Sequence, residues 1–274
     1  MTLANPVLRC LWLAVGALAW AGAWAASPQV LIFGEQHDQP DQQRQVAAEV
    51  SALAAAGRLA AVVLEMAEAR HGTAALPRDA TEAQVRTALQ WQGWPWEAYS
   101  KVVMNAVRAG VPVLGGNLPR AANRTAMADN TLDPRINADA RAFIADAVRS
   151  GHCNLLPASQ EPGMVRIQIA RDLSMAQVVA WAMRDAPADT QVLLLTGAQH
   201  ASRDRGVPLH LHSGQGLDAA RVHVVIFGNG EDGLLADERR AAIFTPQADH
   251  CAELRKRLAG APLPAAAAAS MPAR

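Results

Sequence analysis

Apolar residues fall along this chain in short unbroken runs, separated by longer stretches of helical spacing. "QVLIFGE" (29–35) is such a run, closed by Gly34, and reads as a buried strand. "DQQRQVAAEVSALAAA" (41–56) places Val46, Val50 and Leu53 on one face and stops at Gly57, as an amphipathic helix does. "LAAVVLEM" (59–66) is a second strand, so the three elements form a βαβ unit with parallel strands. Further strands are predicted at "VPVLGGN" (111–117), "QVLLLTGAQH" (191–200) and "RVHVVIFGNG" (221–230). Helices are predicted over "TEAQVRTALQW" (81–91), capped by Thr81, and over "PWEAYSKVVMNAVRAG" (95–110), opened by Pro95 and closed by Gly110. Two more cover 138–150 and 164–184, the second with Met164, Ile167, Arg171, Met175 and Val178 at helical spacing. Continuous apolar strands alternating with helices predict an α/β fold with a mostly parallel central sheet covered by helices. The helical stretches at about 70–110 and 135–185 exceed simple crossovers, and are expected to form a cap or insertion over one end of the sheet.

Both ends of the chain read differently. Arg9 precedes the uncharged run "CLWLAVGALAWAGAWA" (10–25), which ends in the small-x-small triplet Ala23, Trp24 and Ala25. This is a signal peptide over 1–25, cleaved near Ala25, and it implies an exported, periplasmic protein. Cys10 stands before the apolar run and follows an arginine, so no lipoprotein site is present there. The mature chain is expected to be a single α/β domain over 26–257, followed by a low-complexity, disordered tail over 258–274.

Composition narrows the function class. Hydrophobic residues make up 51% and charged ones 18%, enough for a sizeable core. Lysine plus arginine and aspartate plus glutamate both total 25, so no net charge draws the chain to nucleic acid. Beyond the leader only Cys153 and Cys251 remain, a disulfide candidate in an exported protein or else two buried thiols.

The candidate chemistry lies where the strands end. Parallel strands bring their carboxyl ends to one edge, where α/β proteins bind ligands. The first predicted strand delivers Glu35 and His37 to that edge, the second Glu65, the third Asn117 with Arg120 behind it, and the fourth His200. "GEQH" and "GAQH" are both Gly-x-x-His after an apolar strand, and a glycine there permits a sharp turn and close backbone approach. His37, Glu65 and His200 suit a divalent metal with an open position, or general acid–base work on a bound substrate; capping or turn roles are the structural alternative. His210 and His212 alternate in "PLHLH", which on a strand puts them on one solvated face. His152, next to Cys153, reads as structural, and His223 as a strand histidine with a local partner.

The blocks "LIFGEQHDQPDQQ", "VVLEM", "WPWEAYSKVVMNAVRAGVPVLGGNLPR", "GHCNLLP", "MVRIQIARDLSMA" and "LLLTGAQHASRDRGVPLHL" resemble the ChaN family of haem-binding uptake proteins, which groups with Tiki/TraB proteins and erythromycin esterases. The resemblance runs from about Val30 to Leu211. It implies haem binding at the carboxyl edge of the sheet in bacterial iron uptake, with a homodimer and an outer-membrane or periplasmic haem transport system as partners. In that setting Tyr99, the single tyrosine, could ligate iron beside Trp94 and Trp96, with His71 or His200 as other ligand candidates. Arg120 and Arg171 could pair with propionates, or else form local ion pairs, and Glu35, His37 and Asn117 complete the expected site. The alternative implied by the same relatives is a metal-assisted or histidine-based hydrolase using His37, Glu65 and His200.

Overall fold

A computed structural model describes residues 29–230, 232–247 and 249–260. The leader therefore lies outside the described residues, as does the tail beyond Gly260. In chain order the strands and helices are β1 (Val30–Glu35), α1 (Pro40–Ala55), β2 (Leu59–Glu68), α2 (Glu82–Ala88), α3 (Trp96–Ala109), β3 (Val113–Asn117), α4 (Asn123–Ala128), α5 (Ala138–Gly151), α6 (Glu161–Arg184), β4 (Gln191–Gly197), α7 (Ala198–Ala201), α8 (Val207–Gln215), β5 (Val222–Phe227), β6 (Glu238–Arg240) and α9 (His250–Gly260).

Local chemistry accounts for most of these boundaries. Thr81 caps α2 through a reciprocal pair of hydrogen bonds with Gln84. Asn137 caps α5 by accepting from the Ala140 N–H, and Gly110 ends α3 at φ 78°, a left-handed position that only glycine adopts without penalty.

The six strands lie in the order β3-β2-β4-β1-β5-β6, and every neighbouring pair is parallel. β1 and β2 are parallel as their βαβ spacing predicts, but they are not neighbours: β4 is inserted between them. This insertion puts the two Gly-x-x-His segments side by side, with Glu35 opposite Gly197 in the register.

The strands are apolar on both faces because both faces are covered. Leu31 and Phe33 of β1 join one core with α1 and α3, while Val30 and Ile32 join a second with Met175 and Val179 of α6 and Leu211 of α8. Burying each such aliphatic or aromatic side chain is worth roughly 1.5–3 kcal/mol. A third core lies on another face of α6, where Ile144 and Val148 of α5 and Ala126 of α4 meet Val165 and Ile169. The expected cap is thus α5 with α4. The 70–110 stretch divides: α3 packs along α1 as part of a face layer, and only the loop before it reaches the sheet edge.

Some expectations need correction. "PLHLH" is not strand but lies in α8, so His210 and His212 point differently: His210 is 1% exposed and His212 is at the surface. The fourth strand stops at Gly197, and His200 belongs to the short α7. β6 went unforeseen; "ERR" carries no apolar residue, and its pairing with β5 at the sheet edge is what makes it a strand. Among the described residues no helix is long and apolar enough to cross a membrane. Cys153 and Cys251 form a disulfide across a sequence separation of 98, tying α9 to the end of α5.

Candidate functional site

A cavity of about 640 Å³ opens at the carboxyl edge of the sheet. Glu35 and His37 after β1, Glu65 of β2, Asn117 of β3, Gly197 and His200 after β4, and Phe227 of β5 all reach its wall. Trp94 contributes from the loop before α3, Arg171 and Asp172 from α6, and Ile144, Val148 and His152 from the α5 side. The polar groups predicted to end the strands therefore do converge, and a helical cap closes over them.

At β1 the buried carboxylate of Glu35 organises its neighbours. Gln43 of α1 donates to one oxygen at 2.6 Å, and the other accepts from the Tyr99 hydroxyl at 2.7 Å and from His37 Nδ1 at 3.0 Å. Burial raises the Glu35 pKa, against the opposing pull of His37, Tyr99 and Gln43. The His37 ring is fixed on its other side by Trp94, with centroids 4.5 Å apart. Burial opposes a charge on His37, but the Glu35 hydrogen bond and the Glu65 and Glu35 carboxylates outweigh it and raise its pKa. Gly197 is needed beside it: a Cβ there would come 2.9 Å from His37 Nε2.

Glu65 sits between the two histidines. Its Oε2 accepts from the Gly197 N–H and the Thr196 hydroxyl, each at 2.7 Å, and lies 3.9 Å from His37 Nε2. Its Oε1 lies 3.7 Å from His200 Nε2. Burial alone would raise Glu65, but His200, His37 and these donors bring it down to about 2. His200 in turn donates from Nδ1 to Asp172 Oδ1 at 2.7 Å. Despite the cost of burial, Asp172 and Glu65 raise His200 to about 9, while burial lifts Asp172 to about 6. Near neutral pH this makes a buried Asp172–His200–Glu65 chain of alternating charge.

Residues 23–211 match the family model described as haem-binding uptake, Tiki superfamily, ChaN. The chain belongs to the ChaN family. Its fold agrees with a solved structure of ChaN from Campylobacter jejuni, described as showing cofacial haem binding, at TM-score 0.64 and 21% identity over 80% of this chain and 89% of that one. The type III effector HopBA1 matches at TM-score 0.41 and 12% identity, over 79% of this chain and 88% of that one. A Bacillus cereus protein matches at TM-score 0.40 and 13% identity, over 74% and 66%. Both of these likenesses are too distant to carry an argument. No curated protein matches the sequence.

Several residues predicted for the ChaN-like site occupy places the sequence did not show. Tyr99 has no exposed surface and does not line the cavity; its hydroxyl is engaged by Glu35, and burial raises its pKa. His71 does not line the cavity either. Arg120 lines the rim, largely exposed, with Nε 3.9 Å from Glu68 and its guanidinium against Gly93. Arg171 makes no ion pair within 4.0 Å among the described residues, and its buried Nε has no hydrogen-bond partner. Asn117 donates to the Glu65 carbonyl at 2.9 Å, and its buried Oδ1 is likewise without a partner. His223 lies 3.5 Å from Glu238, away from the cavity.

The three-residue metal set is not formed. Among the described residues no group of three His, Cys, Asp or Glu side chains is placed to hold a metal ion. The physical reason is that one Glu65 oxygen is already taken by the Gly197 and Thr196 donors, and His200 uses Nδ1 on Asp172.

Sequence reasoning missed Asp172, Gln43, Thr196 and His152. Asp172 carried one usable signal: in "MVRIQIARDLSMA" it is an acidic residue one turn before the buried Met175, on a face otherwise apolar. Gln42 and Gln43 are similarly polar residues buried in the first turn of α1.

Proposed function

We propose that this ChaN-family chain is an exported haem-binding protein of bacterial haem and iron uptake, with haem held in the cavity at the carboxyl edge of the sheet. The observation that carries the reading is the cavity's composition: Trp94 and the apolar side of α5 meet Arg171, whose buried Nε lacks a partner. Its volume of about 640 Å³ falls within the roughly 300–1,000 Å³ usual for cofactor-sized ligands. A porphyrin needs apolar contact on its faces and cations for its carboxylates, and these residues fit that demand.

In this reading Arg171, with Arg120 at the rim, receives the propionates, and Asn117 Oδ1 offers an acceptor nearby. His37 and Trp94 lie against the macrocycle, while Glu35 and Tyr99 hold His37 rather than touch haem. His200, Asp172 and Glu65 keep the floor of the cavity charged and rigid. The leader over 1–25 supports a periplasmic location with delivery to an outer-membrane or periplasmic transport system. The cofacial haem of the C. jejuni protein supports a homodimer as the working form. Haemin titration of the wild type against Arg171→Ala tests the assignment. Saturable binding weakened in the variant is expected; absence of saturable binding in the wild type overturns it.

A second reading rests on the Asp172–His200 contact of 2.7 Å, the arrangement that orients a histidine for proton transfer. It makes the chain a histidine-based hydrolase acting at His37, Glu65 and His200. Turnover of ester or peptide substrates that is lost in Asp172→Asn and His37→Ala would favour it over haem carriage.

A further inference from the structure

The cavity holds more than one histidine, and their free nitrogens are not equivalent. His37 and His200 both direct Nε2 toward the Glu65 carboxylate, at 3.9 and 3.7 Å. An anion at that distance favours a proton on Nε2 and so works against metal coordination by the same lone pair. Tyr99 is excluded by burial and by its bond to Glu35. Met66 reaches the wall but is 3% exposed and packed into the core.

His152 differs from all of these. Ile144, Ala147, Val148, Gly151 and His152 all face the cavity, and their 3-1-3-1 spacing is that of a single helix face. Ala147 and Gly151 are small, so a flat ring can approach the helix closely there. At the end of this face His152 donates from Nδ1 to the Val148 carbonyl at 2.7 Å. A carbonyl only accepts, so the proton is on Nδ1 and the lone pair on Nε2. No described protein group hydrogen-bonds Nε2. This is the arrangement of metal-ligating histidines, whose second nitrogen is fixed by a carbonyl or carboxylate. The next residue, Cys153, is buried and tied to Cys251, and Cys153 and Asn154 turn the chain at φ 58° and 57°. The imidazole is therefore held in place before any ligand arrives.

The geometry points to His152 Nε2 as the axial ligand to haem iron in this chain. The inference rests on the haem reading above and deepens it, moving the iron from the strand ends to the end of α5. In that position Fe–N coordination uses a lone pair already present, and no proton has to leave the ring.

Ferric haemin titration of the full chain, followed by resonance Raman of the ferrous complex, tests it. The wild type should bind saturably and show an iron–histidine stretch. His152→Ala should lose that stretch, keep its circular dichroism, and regain imidazole ligation when free imidazole is added. His152→Tyr should introduce a phenolate-to-iron charge-transfer band in the ferric complex, and it decides the matter if the alanine variant fails to fold. An unchanged stretch in His152→Ala, with its loss in His37→Ala, overturns the assignment while leaving haem binding intact. No saturable binding by the wild type overturns the haem reading and this inference together.

Discussion

Asp172 reaches across from α6 to hold His200 of α7, with Oδ1 2.7 Å from Nδ1, and so fixes the histidine that follows the second Gly-x-x-His strand. Both side chains are nearly removed from water, at 3% and 12% exposure, which makes the pair strong when intact and costly when broken. Asp172→Asn is therefore expected to lower unfolding free energy by about 3–5 kcal/mol, the usual cost of orphaning one member of a buried pair. Urea denaturation checks the stability, and NMR titration should show the His200 pKa falling from about 9.

The same network sets a pH profile. His200 is raised in the folded state from 6.5 to about 9, so its contribution is fully present below pH 6.5 and is lost as pH rises through 9. Glu65 is lowered from 4.5 to about 2, so its contribution is present above pH 4.5 and is lost as pH falls through 2. Asp172, raised by burial from 3.8 to about 6, favours the folded state as pH falls across that interval and offsets part of the acid loss. Denaturation midpoints should decline between pH 6.5 and 9, and His200→Gln should flatten that decline.

Tyr99→Phe removes a donor from a buried carboxylate. Leaving Glu35 one hydrogen bond short should cost about 1–3 kcal/mol, measured by chemical denaturation. The visible spectrum of the haemin complex should be unchanged, because the hydroxyl faces Glu35 and not the cavity. Loss of a charge-transfer band in this variant would restore Tyr99 as the iron ligand.

Gly197→Ala probes the space between the two histidine segments. The backbone there is compatible with alanine, but the new Cβ would fall 2.9 Å from His37 Nε2 and 3.5 Å from Glu65 Oε2. His37 is held between Glu35 and Trp94 and cannot yield freely. An overpacking cost of about 1–3 kcal/mol is expected, with weaker haemin binding by titration.

The disulfide is expected to matter to the whole fold. Cys153 and Cys251 close a loop across a sequence separation of 98, for which chain entropy predicts about 4–5 kcal/mol. Denaturation of Cys251→Ser, or of the wild type with reductant, should show a loss of that order.

How much of this was legible beforehand differs from residue to residue. Glu35, His37, Glu65, Asn117 and His200 could be placed at one edge, because each is the first polar group after an apolar run and parallel strands end together. Tyr99 was misjudged, since an aromatic beside two tryptophans looks alike whether it turns outward to a ligand or inward to a carboxylate 64 positions away. His152 was passed over because nothing in "GHCNLLP" tells which ring nitrogen is occupied. "PLHLH" alternates like a strand, yet Pro208 sits at the start of a helix, and packing of α8 against α6 settled the conformation.

By itself the sequence determined the helices and strands, their parallel association, and the gathering of polar residues at strand ends, because hydrophobic period, glycine punctuation and capping are properties of neighbours in the chain. Only the tertiary structure decided that β4 enters between β1 and β2, that Asp172 meets His200, and which lone pairs face the cavity. Those outcomes depend on side-chain direction and on contacts between distant segments, where one buried hydrogen bond outweighs any local preference.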